Sequence, residues 1–234
     1  MNHFHVPTHG PLDWKPLLAK PDLHWKPGRS AMALAQCWET ARGFPPEVAG
    51  ALESGGNDLA SAELLLALPE YDVPLPGGER PSQTDLMVFL GTHSGLAILA
   101  VEGKVDEDFG PTVDAKRAEK SAGENARIEA LESLLGFRHP TPGPTRYQLL
   151  HRTASAILTA KAFSARSAVM FVHTFSRDVT GGTRFDDYAA FCRLLGIDAK
   201  KGVAQRALSH SSPALYLGWC RGDTRFLSDL STKP

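Results

Sequence analysis

Two apolar runs, residues 85–90 and 96–101, stand on either side of Gly91-Thr92-His93-Ser94-Gly95. Both are rich in the Val, Ile, Leu and Phe that favour buried strands, and two glycines bracketing polar residues are a hairpin-loop signal. The runs are expected to pair antiparallel. Helical periodicity dominates elsewhere. Ser30 is placed to cap a helix through Ala41, which Gly43 and Pro45-Pro46 end, and a second short helix starts at Pro46. A third is expected after Asn57 or Asp58, with Leu59, Ala62, Leu65, Leu66 and Leu68 on its apolar face and Pro69 near its end, followed by a Pro- and Gly-rich loop over residues 71–81. Ser121 and Glu124 have capping-box spacing before Ile128, Leu131, Leu134 and Leu135, and Gly136 closes that helix. Residues 145–163 carry a stripe of Leu149, Thr153, Ala156, Ile157 and Ala160, with Gln148, Arg152 and Ser155 on the polar side. A continuous apolar strand over 168–174, an amphipathic helix over 185–195 and a last strand over 214–220 complete the order. This order predicts an α/β (α+β) domain, a mixed central sheet flanked by helices, with room for a further strand before the hairpin.

Residues 1–28 show neither period, hold five prolines and four histidines, and are expected to form an extended N-terminal arm that Trp14 and Trp25 pin to a single domain over residues 29–234. His3, His5 and His9 lie there without an acid or cysteine to complete a metal set. With 42 per cent hydrophobic content the chain can bury one substantial core, and its formal net charge of −1 gives no overall field toward nucleic acid or membrane. Cys37, Cys192 and Cys220 are odd in number and far apart, as for free thiols in a reducing compartment. No apolar stretch reaches membrane-span length and no signal-peptide pattern opens the chain, so the expectation is a cytoplasmic protein with no membrane partner.

The hairpin concentrates the candidate chemistry. Asp85 begins its first strand, and Glu102 and Lys104 end its second, so all three lie toward one end. Residues two apart on a strand share a face, which brings Glu102 and Lys104 together. Two carboxylates beside an ammonium suit a hard divalent cation, Mg2+ or Mn2+, with the lysine placed for charge stabilisation or proton transfer. A solvated surface ion pair is the plainer alternative.

Asp85, then Val101-Glu102-Gly103-Lys104 on the next strand, resembles the motif of the PD-(D/E)XK nuclease superfamily, with Gln83-Thr84 where the family name places proline. The element order over residues 57–220 is similar to the restriction-endonuclease-like fold. That resemblance implies Asp85, Glu102 and Lys104 as catalytic residues and Asp85 and Glu102 as metal ligands. It further implies a glutamate from a preceding helix, for which Glu63 is the first choice and Glu53 and Glu70 are weaker ones.

Residues 133–177 contain no Asp or Glu but include Arg138, Arg146, Arg152, Lys161, Arg166 and Arg177. A basic surface beside an acidic metal site is what a phosphodiester hydrolase requires, so Arg146, Gln148, His151 and Arg152 are candidate nucleic-acid contacts, Arg152 as a phosphate clamp. The acidic turn Asp106-Glu107-Asp108 is expected to be a solvated loop. Gly91-Thr92-His93-Ser94-Gly95 is not a nucleophile elbow, and no Walker loop, dinucleotide fingerprint or His-Glu-x-x-His helix occurs. The expectation is a metal-dependent nuclease with DNA the favoured substrate and a homodimer left open. The alternative is an inactive nuclease-like module that binds nucleic acid or a protein.

Overall fold

A computed structural model describes residues 8–41, 43–119, 122–208 and 212–230. Among them, six strands, β1 (Glu63–Val73), β2 (Ser82–Thr92), β3 (Gly95–Lys104), β4 (Ser167–Thr174), β5 (Val203–Arg206) and β6 (Ala214–Arg221), form one mixed sheet in the order β1-β2-β3-β4-β6-β5. The expected hairpin is its centre: β2 (Ser82–Thr92) and β3 (Gly95–Lys104) pair antiparallel from Thr92↔Gly95 back to Leu86↔Val101. β4 (Ser167–Thr174) lies parallel to β3, and β6 (Ala214–Arg221) lies parallel to β4. β5 (Val203–Arg206), a four-residue edge too short to stand out as an apolar run, pairs antiparallel with β6.

Alternation along β2 and β3 divides the core. Met87, Phe89, Ile98 and Ala100 face one layer, made by α5 (Ala122–Leu135), α6 (Tyr147–Ala162) and α7 (Gly182–Leu194). Leu86, Val88, Leu99 and Val101 face the other, made by α2 (Ser30–Ala41) and α3 (Pro46–Glu53). With both faces covered, the central strands carry unbroken apolar runs, as over residues 168–172 of β4, whose eight residues are all buried. Helix α6 carries the expected stripe, but Arg152 and Ser155 on its polar side are buried too, because the helix packs on β3 and β4 while its polar side turns toward the open end of the sheet. A short helix, α4 (Val113–Ala118), capped by Thr112 Oγ1, follows the acidic turn.

Two expectations are overturned. Residues 63–73 are not the end of a helix: Glu63–Val73 is β1, an eleven-residue edge strand antiparallel to β2, with a register shift between Leu64 and Leu66. The leucine spacing mimics a helix because the bulge breaks strict alternation and both faces are partly covered. The N-terminal segment is not extended. Pro11–Leu17 is a 3-10 helix and α1 (Pro21–His24) a single turn, and Trp14 is buried in the core beneath α2 with its Nε1–H donating to Glu39 at 2.7 Å. Trp14 therefore does pin the segment. His3 and His5 and the proposed cap Ser121 lie outside the described residues.

Candidate functional site

Register brings the acids together. Asp85 sits one residue before Leu86, which pairs with Val101, so its side chain lies beside Glu102 on the face that α6 covers. Pro69 pairs with Leu86 and Tyr71 with Thr84, which sets Glu70 across from Asp85. The backbone of Glu70 has φ 50°, a left-handed conformation that non-glycine residues adopt at a cost of about 1–3 kcal/mol. Three adjacent strands thus contribute one carboxylate each to a cavity of 460 Å3, which Lys104 also lines. Glu102 and Lys104, at its floor, are only 3 and 4 per cent exposed.

Helix α6 supplies the polar partners from one face, at spacings of three and four residues. Gln148 Oε1 accepts from Lys104 Nζ at 3.0 Å while its Nε2 donates to Glu102 at 2.7 Å, and Lys104 pairs with the same carboxylate at 2.9 Å. Arg152 donates through Nε to Glu102, through a terminal nitrogen to Ser82 Oγ at 2.8 Å, and reaches Asp85 at 3.5 Å. Ser82 Oγ, accepting from Arg152, has one hydrogen to give, and His151 Nδ1 lies 2.9 Å away. Burial, with Arg152 next in effect, pushes the His151 imidazole down to about 3, so the ring is neutral, accepts at Nδ1 and carries its proton on Nε2. Asp85 also accepts the Gly103 N–H at 2.9 Å.

The charges do not balance evenly. Burial works against the Glu102 carboxylate, but Arg152 and Lys104 outweigh it and hold its pKa well below the usual range. Burial, then the Glu102 charge, raises Asp85 despite those cations, and burial followed by Asp85 raises Glu70. With all three acids ionised, Glu70, Asp85 and Glu102 exceed Arg152 and Lys104 by one negative charge, and such a set of hard oxygen donors, two of them inclined to hold protons, suits a divalent cation that takes the place of those protons.

The other sequence candidates divide. Glu63 is exposed at the hairpin-turn end of β1, opposite Gly91 and seven residues (about 23 Å of strand) from Glu70, so it is not part of the site. Glu53 accepts from the Ser61 N–H, also away from it. Arg146 is held by Asp187 at 2.8 Å, Asp108 and the Gly110 carbonyl and has no place in the cavity. Arg152 is an internal counter-charge and not a surface clamp. Arg138, Lys161, Arg166 and Arg177 are exposed, but Arg166 adjoins the hairpin turn, at the far end of the sheet, so the acid-free segment does not make one basic face at the site. Of the acidic turn, Glu107 reaches the cavity, while Asp106 joins Ser176 and Arg184. Ser82 was missed altogether. Glu70 was legible only to a reading of residues 63–73 as a strand folded back by the Pro76-Gly77-Gly78 loop.

A second cluster has metal-ligand composition: Cys37 on α2, Glu47 on α3 and His173 on β4, with one ligand atom from each within 4.8 Å of the others. Trp38 Nε1–H, which can only donate, lies 3.2 Å from His173 Nδ1, so the neutral ring keeps its proton on Nε2 and donates to Glu47 at 2.9 Å. Metal at Nε2 would force that proton onto Nδ1, against the indole N–H. Burial, then Glu47, pushes the Cys37 thiol far up, so it stays protonated. This is a hydrogen-bonded tie between both helices and the sheet, built with the wrong polarity for a cation.

Comparison with curated proteins finds no significant match, and comparison with solved structures finds none. No helix among the described residues is long and apolar enough to cross a membrane. One family model does match, across residues 7–224, and on that coverage the chain belongs to the family described as Domain of unknown function (DUF6946).

Proposed function

We propose that this cavity is the active site of a metal-dependent phosphodiester hydrolase acting on nucleic acid, with DNA favoured, on a sheet of restriction-endonuclease-like kind. One observation carries the reading: Glu70, Asp85 and Glu102, from three neighbouring strands, converge on one cavity with Lys104 beside them. Those carboxylates would hold Mg2+ or Mn2+. A divalent ion bound there supplies Lewis-acid polarisation of a phosphoryl oxygen and a lowered pKa for water. Lys104, oriented by Gln148 and Glu102, stabilises the negative charge that develops on the phosphoryl oxygens. Gln148 keeps the ammonium in place, and the neutral His151 adds a fixed N–H donor at the cavity wall.

Manganese binding, followed by electron paramagnetic resonance, and cleavage of labelled DNA and RNA test this together. The parent is expected to bind Mn2+ and cut. Asp85→Asn is expected to lose both, and Lys104→Ala to keep binding while cleavage falls about 100-fold or more. Cleavage by Lys104→Ala at the parent rate contradicts the assignment. One feature favours a second reading, an inactive nucleic-acid- or protein-binding module: Arg152 already partners Glu102 and Asp85, so the site is partly neutralised from within. Under that reading no Mn2+ binds.

A further inference from the structure

The walls of the cavity come from two different layers. Its floor is β2, β3 and α6, whereas Leu18, Ala19, His24, Ser30 and Ala31, from the N-terminal segment and the start of α2, form the facing side. This side is fixed to the domain. Trp14 is buried beneath it, Leu18 is 8 per cent exposed, the Leu17 carbonyl accepts from Gln83 Nε2 at 3.2 Å, and the Gly28 N–H donates to the Leu227 carbonyl at 2.8 Å. The reactive groups therefore lie at the bottom of a cleft with two built walls, and not on an open face.

Size then limits what reaches them. The cavity, 460 Å3, is within the range of a site for a small ligand. A phosphodiester must descend to a carboxylate 3 per cent exposed and an ammonium 4 per cent exposed. A single strand can bend into the cleft to that depth, whereas pairing to a second strand holds each phosphodiester on a stiff duplex that resists such bending. Among the described lining residues there is no Phe, Tyr or Trp, so the cleft lacks the platforms on which single-strand binders stack bases. Groups placed to meet a phosphodiester read no base edge, so what remains is selection by strand form without preference for base identity.

Resting on the hydrolase reading, we infer that the site takes single-stranded nucleic acid, or the unpaired ends and flaps of a duplex, and cuts it with little sequence preference.

The test has a cleavage arm and a binding arm. In the first, the full chain with Mn2+ is given a labelled single strand, the same sequence as a blunt duplex, and closed circular duplex DNA. In the second, Glu102→Gln protein is titrated with the fluorescent single strand and with the duplex, so that strand form is read without chemistry. The expected result is cleavage of the single strand about tenfold or more faster than the duplex, a difference of about 1.4 kcal/mol, no cutting of the closed circle, and a matching preference in binding. Equal cleavage of single strand and duplex, or nicking of the closed circle at the single-strand rate, overturns the inference and leaves the hydrolase reading standing. Preferential binding of the single strand with no cleavage of any form does the reverse, since it supports the strand preference and removes the hydrolase. No binding of either form by the Glu102→Gln protein and no cleavage by the parent overturns both.

Discussion

Arg152 is the residue on which the charge state of the site turns. It is 8 per cent exposed, ties Glu102, Asp85 and Ser82 together, and with Lys104 leaves Glu102 ionised while Asp85 and Glu70 are raised. Being internal, it is expected to set metal affinity and not the salt dependence of nucleic-acid binding: Arg152→Met should tighten Mn2+ binding, and a weaker Mn2+ affinity in that variant argues against the role. Glu70 offers a sharper contrast with Glu63. Glu70→Gly relieves the left-handed backbone and removes a half-buried acid, so metal-free stability should rise by about 1 kcal/mol while Mn2+ affinity falls. Glu63→Gln should change neither. The raised acids also fix a pH dependence. A carboxyl whose folded pKa exceeds its unfolded one binds more protons when folded, so its stabilisation is complete below the unfolded value and is lost as pH climbs to the folded one. For Asp85 that loss runs up to about 7 and for Glu70 up to about 9. The Tm of chelator-treated protein should therefore fall between pH 5 and pH 9, and saturating Mn2+, which replaces those protons, should widen its advantage over the same interval. A Mn2+ effect on Tm that is flat with pH would falsify the proton-for-metal exchange.

At the scale of elements, the hairpin and α6 do most to place the site, and both were legible. Alternation, the glycine-bounded loop and a two-residue spacing suffice to put Glu102 and Lys104 on one face. The sequence was silent on which surface α6 would cover. Its polar side looks like a solvated or phosphate-binding face, and only the packing of α6 on β3 and β4 turns Gln148 and Arg152 inward. β1 was illegible for a different reason: a bulge, a proline and a left-handed Glu70 erase the period of two that identifies a strand. Losing β1 meant choosing Glu63 over Glu70. The layer opposite α6 is tied to the sheet through Trp38, His173 and Glu47, in contacts no local pattern announces. Trp38→Phe keeps the ring and leaves His173 Nδ1 buried without its donor, for a loss of about 1–3 kcal/mol in denaturant unfolding. An unchanged midpoint would show that the tie contributes nothing.

For the whole molecule, the site lies where the parallel strand β3 ends and where both covering layers reach the same rim of the sheet, the position at which open α/β sheets leave a crevice. The helical layer brings the counter-charges, the N-terminal layer brings the second wall, and the strands bring the carboxylates. The formal net charge of −1 carries no sign of this, because the few acids and bases that matter are scattered along the chain and only the fold gathers them in one cavity. The most direct test is anomalous scattering from crystals soaked in manganese. The account predicts a peak coordinated by Asp85 and Glu102, with Glu70 within reach and the Arg152 guanidinium drawn back from at least one carboxylate. No peak at saturating manganese, with Arg152 still bridging Asp85 and Glu102, would contradict it.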